Sequence, residues 1–133
     1  MICIALTGNA TVCLEQQSGY IIQHGQTASQ YDAGIMPTVV QYRLEAGEVA
    51  PIGVDGYVAY HECQHIGALV FLRFDETGYR PYMIADCGSP EANQWMKGGG
   101  IVVEVDHQTA KRHGFVGRGA SVDAIIVEPG WKE

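Results

Sequence analysis

The fold turns on the stretch GGGIVVEVDHQTAKRHGFVGRG, Gly98 to Gly119. Its glycines break the chain, and Ile101–Val105 is then a short apolar run of β-branched character, which reads as a buried strand. Asp106 ends that strand. His107 to His113 is compatible with about two helical turns, stopped by Gly114. An acid placed there can cap the helix. It can also stand at a strand end as a partly desolvated carboxyl, which holds its proton to a higher pH than a free one.

The same grammar extends in both directions. YMIAD, Tyr82 to Asp86, is a strand ending on an acid, and Ser89-Pro90 then opens a second short helix, with Ser89 as cap and Pro90 in its first position. ASVDAIIVEP, Ala120 to Pro129, is the last strand. YVAYHEC, Tyr57 to Cys63, and ALVFLRF, Ala68 to Phe74, read as strands parted by Gly67. The segment TASQYDAGIMPTVVQYRL, Thr27 to Leu44, reads as two strands about a turn at Asp32–Gly34, and Gly19–Gln23 as another strand. At the N-terminus, Ile2–Leu6 and Ala10–Leu14 flank Thr-Gly-Asn and read as a hairpin. Many short strands with one or two short helices predict a mainly β protein built on a small barrel.

A chain of 133 residues is long enough for one domain with a real core, and its 17 glycines agree with frequent tight turns. The formal net charge of −7 argues against nucleic acid as a partner, since phosphates would be repelled. Apolar runs fall short of the ~20 residues that span a bilayer. The first residues have neither the basic start nor the long apolar run of a signal peptide. Four cysteines, Cys3, Cys13, Cys63 and Cys87, allow three pairings. The local one, Cys3 with Cys13 and Cys63 with Cys87, is the simplest. Four buried thiols in a reducing compartment are the alternative.

Three constellations bear on function. Asp86 and Asp106, if they face one groove, are the pair of acids that glycan cleavage requires. His61-Glu62-Cys63-Gln64-His65 matches the H-E-x-x-H pattern. On a helix, His61 and His65 would share a face and could hold zinc, with Glu62 as base. Glu91 or Glu104 would be the third ligand, and nothing in the sequence singles out either. Among the aromatic residues, Trp95 lies between the two acids and is the best platform for a sugar ring, with Tyr31 and Tyr60 as further candidates.

From Thr27 to about Val127 the order of pieces resembles the double-psi β-barrel group, which includes rare lipoprotein A, barwin, expansins and related lytic transglycosylases. The matching pieces are Thr27-Ala28-Ser29-Gln30-Tyr31, the Ala59/His61/Gly67 segment, Asp86-Cys87-Gly88, and the strand, acid, helix and glycine of the opening stretch with the Val-rich strand that follows it from Ala120. His107-Gln108 stand where Leu-Ser is usual in that group. The resemblance implies a six-stranded barrel with a groove across one side, binding of peptidoglycan or another polysaccharide, and in some members cleavage through aspartates matching Asp86 or Asp106. No cofactor is implied. Residues 27–133 would form the barrel domain, with 1–26 as an added β extension.

The leading expectation is therefore an extracellular or cell-surface polysaccharide-binding barrel, with or without lytic activity. His61 is grouped with Trp95, Tyr31 and Tyr60 as substrate-binding. One alternative is a non-catalytic structural subunit that self-assembles into an oligomer or filament through residues 1–26. The other is a zinc metalloprotease using His61 and His65.

Overall fold

A computed structural model describes residues 2–5, 11–14, 20–50, 53–75 and 78–127. The elements are β1 (Ile2–Ala5), β2 (Thr11–Leu14), β3 (Tyr20–Gln30), α1 (Ile35–Glu45), β4 (Tyr57–Ala59), β5 (Leu69–Arg73), β6 (Arg80–Asp86), α2 (Pro90–Gly98), β7 (Ile101–Val105), α3 (His107–His113) and β8 (Ala120–Val127). The fold is mainly β, with a closed six-stranded barrel in the order β3-β7-β4-β6-β5-β8. Its β3–β7 and β4–β6 pairs are parallel and the other four are antiparallel. Closure leaves the barrel no free edge to protect.

Alternation along the strands fills the interior. Val58, Val70, Leu72, Tyr82, Ile84, Val103, Val105 and Ile126 point inward and are essentially inaccessible to water. Burying a side chain of this size contributes roughly 1.5–3 kcal/mol. A second apolar layer lies outside the wall, where Met36 and Val40 of α1 pack on Met83 and Ala85.

α1 differs from the sequence expectation of a second strand in this region. Thr38-Val39-Val40 is β-branched and suits a strand locally. However, Met36, Val40 and Leu44 recur every four residues, and a helix sets them on one face against the barrel. The helix penalty for β-branched residues is only tenths of a kcal/mol each, so packing decides. Pro37 lies in the first turn, where no helical N–H bond is forfeited. The described residues thus hold three α-helices rather than one or two. α2 and α3 form where expected: Ser89 Oγ accepts from Ala92 N–H at 3.2 Å, and Asp106 Oδ1 accepts from Thr109 N–H at 2.6 Å.

The N-terminal hairpin forms, with Cys3 directly opposite Cys13. Both local disulfides are present, Cys3–Cys13 and Cys63–Cys87. Ile4 docks the hairpin on the outside of the barrel against Phe71, Ile125 and Val127. β3 runs through the boundary expected between residues 26 and 27. Tyr20 to Gln23 pair with β8, and a bulge at Gly25 separates them from the Gln26–Ala28 pairing. Residues 20–26 are therefore barrel wall.

Candidate functional site

Pairing across the barrel sets Ser29, Glu104, Ala59 and Asp86 in one row over β3, β7, β4 and β6. Val103 and Val105 face inward, so Glu104 between them faces out. Asp86 and Glu104 thus flank Ala59, whose small, buried side chain forms the floor between them. Two strand spacings of ~4.8 Å put their α-carbons about 10 Å apart.

Asp86 is held from two sides. Tyr31 Oη donates to Oδ2 at 2.8 Å, and Arg43 donates from its terminal nitrogen to Oδ1 at 3.2 Å. Arg43 is itself fixed by Ala85 O at 3.0 Å and Glu48 at 3.0 Å. Burial, then the hydrogen bond to Asp86, pushes the Tyr31 phenol well above its ordinary pKa, so it remains a donor. The turn after Asp86 is pinned as well. Cys87 is tied to Cys63, and the Asn93 side chain closes a two-way pair with the Gly88 backbone, at 2.8 and 3.0 Å. A Cβ at Gly88 would meet Ala92 and Asn93, so only glycine lets the α2 start approach this closely.

Glu104 is the opposite case. It takes no hydrogen bond or ion pair from any described residue. Burial, and secondly the charge of Asp86, raises its pKa above the ordinary value. One carboxyl fixed by donors therefore faces another that favours its proton, the arrangement by which proteins divide acid and base roles.

Asp106 does not join them. It lies beside Tyr57, two residues along β4 from the Ala59 row, and β4 stands between it and Asp86. Strand spacing and rise then separate the two α-carbons by about 12 Å. Both of its oxygens are occupied by backbone donors, Thr109 N–H at 2.6 Å and Tyr57 N–H at 2.9 Å, and it is 9% exposed. A Cβ at Gly56 would collide with Asp106, Thr109 and Tyr82. Asp106 is thus built into the wall as a cap, and the acid that stands across Ala59 from Asp86 is Glu104 rather than Asp106.

No match to this chain was found among protein-family models, curated proteins or solved structures.

The other expected residues separate in the fold. Tyr31 belongs to the site, but as the phenol bound to Asp86 rather than as a bare stacking face. Tyr60 is not an exposed platform: it is 2% exposed and packs against the rings of His61, at 4.3 Å between centroids, and His65, at 5.0 Å. Trp95 is 56% exposed on α2. His61 lines a shallow cleft of about 300 Å³ with Gln23, Gln26, Glu62 and Lys97, and Trp95 does not line it. Burial lowers the His61 pKa, which favours a neutral ring.

The H-E-x-x-H segment lacks the helix its chemistry needs. Glu62 is extended, and only Cys63–His65 turns, as a single 3₁₀ turn. His65 is buried with Nδ1 3.2 Å from Glu62. No group of three or more metal-ligating side chains occurs among the described residues, so neither Glu91 nor Glu104 completes a set there. Glu104 and Arg43 are the residues hardest to find from sequence. Glu104 reads as an ordinary outward position in a V-V-E-V strand, and only cross-strand pairing gives it Asp86 as a neighbour.

Proposed function

We propose that this chain is a barrel of the double-psi type that binds a cell-wall or related polysaccharide over the Ala59 row and cleaves its glycosidic bonds by acid catalysis. The observation that carries the reading is Glu104, a half-buried carboxyl without a described partner, opposite the donor-held Asp86. Glu104 would donate its proton to the glycosidic oxygen as the bond to the anomeric carbon breaks. The Asp86 carboxylate would face the positive charge developing on the ring, and water would complete the cleavage. Tyr31 and Arg43 act as positioning residues for Asp86. The neutral His61 with Gln23 and Gln26 supplies hydrogen-bonding groups suited to sugar hydroxyls. Two disulfides support an oxidising, extracellular setting. No helix among the described residues is long and apolar enough to cross a membrane.

The test is retention on insoluble peptidoglycan, chitin and cellulose, with release of reducing ends measured in parallel. Glu104→Gln should be retained like the parent yet release at least ~100-fold less, the usual scale for losing a general acid. A parent retained on none of the polymers, or a Gln variant that cleaves normally, would remove the proposal.

A second reading is favoured by one observation. β1–β2 is a two-stranded sheet apart from the closed barrel, and the outer edge of β2 has no strand partner among the described residues. Self-assembly would use that edge. Deletion must stop before Tyr20, because β3 is barrel wall. Loss of residues 1–18 should convert an oligomer to a folded monomer by light scattering, and an unchanged oligomer would count against the edge.

A further inference from the structure

A separate cleft of about 640 Å³ lies between α1 and the β4–α3 region. Met36, Pro37, Val40 and Leu44 of α1 form one wall, Tyr57 is part of the other, and Asp55, Asp106 and Arg112 also line it. Its volume and mostly apolar lining with a few polar groups match those of small-molecule sites. The charges around it are unequal in availability. Asp106 has both oxygens on backbone N–H groups, and Asp55 is held by Arg80 through two contacts of 2.8 Å. Arg112 donates to the Asp55 carbonyl oxygen at 3.3 Å and forms no ion pair with a described residue. The carboxylates are thus spoken for, while a guanidinium with most of its five donors open remains.

We infer that this cleft binds a small amphipathic monocarboxylate, its apolar body against the α1 wall and its carboxylate on Arg112. The cleft is distinct from the Ala59 row, and α1 is the element common to both: Val40 and Leu44 line the cleft, while Arg43 reaches Asp86.

Calorimetric titration of the full chain with 2-naphthoate, and with 2-naphthalenemethanol as the neutral counterpart, tests the inference. The expected result is saturable 1:1 binding of the acid. Arg112→Gln should weaken the acid about tenfold, as loss of a charge-assisted contact does, and leave the alcohol unchanged. Leu44→Trp should fill the cleft and abolish binding of both, and its melting curve checks that it folds. Pro37→Trp, at an exposed wall position, gives a second block should Leu44→Trp not fold. No saturable binding by the parent, or binding indifferent to Arg112→Gln or to the filling variants, would overturn the assignment.

Discussion

Asp106→Ala distinguishes a wall-building acid from a catalytic one. The substitution removes two charge-assisted acceptors at once: Oδ1, on Thr109 N–H at 2.6 Å, and Oδ2, on Tyr57 N–H at 2.9 Å. Loss of the helix cap costs about 1 kcal/mol. The Tyr57 N–H is left beside a methyl group, which adds about 1–2 kcal/mol for an unmet donor. The sum is about 2–3 kcal/mol. At about 4 °C per kcal/mol for a domain of this size, the melting temperature should fall by about 8–12 °C. Asp106→Asn keeps one acceptor oxygen but turns an amide N–H toward the other backbone donor, so it should fall roughly half as far. Thermal unfolding followed by far-UV circular dichroism, with urea unfolding for the free energy, measures both. If Asp106→Ala melts within about 3 °C of the parent, the capping assignment is refuted. Loss of polymer cleavage together with normal stability would return Asp106 to the chemistry.

Three further outcomes follow from the same geometry. Glu104 has a raised pKa when folded, so as pH rises above its ordinary value of 4.5 the folded state loses stability until the raised value is passed. Glu104→Gln lacks this loss, and its melting temperature relative to the parent should climb with pH across that window; a pH-independent difference would contradict the burial of Glu104. Gly56→Ala should cost about 1–3 kcal/mol through overpacking against Asp106, Thr109 and Tyr82, read from urea unfolding, and a neutral effect would show that the wall yields there. Replacing Cys63 and Cys87 together by serine opens a loop of 24 residues' separation, worth about 3.5 kcal/mol in the chain-entropy model, and frees the turn after Asp86. Both stability and polymer retention should fall, and retention unchanged in the folded variant would separate the disulfide from the site.

The barrel is legible in the sequence because several strands carry their own signal, a short apolar run such as Ile101–Val105 or Tyr82–Ala85 closed by an acid. The caps of α2 and α3 are legible for the same reason, since Ser89 and Asp106 act on backbone three residues away. The disulfide pairing also follows chain proximity. α1 reads wrongly as a strand because Thr38-Val39-Val40 has strand character, and the face formed by Met36, Val40 and Leu44 gains its value only from Met83 and Ala85 far along the chain. The site is half legible. Asp86 and Tyr31 are marked, one by its strand-end position and the other by its motif. Glu104 is not, because its neighbour Asp86 is supplied by register across β4 rather than by anything nearby in sequence. Asp106 looks equivalent to Asp86 because both end apolar strands. The backbone donors at Thr109 and Tyr57 separate them, and only the first is within reach of a local argument.

The most direct test is a carbon-13 NMR titration of the Glu104 side-chain carboxyl in the parent and in Asp86→Asn. A Glu104 that titrates above 4.5 in the parent, and moves down when the Asp86 charge is removed, is the result expected of two acids facing each other across Ala59. A Glu104 that titrates at or below 4.5, or one indifferent to Asp86→Asn, would contradict the site.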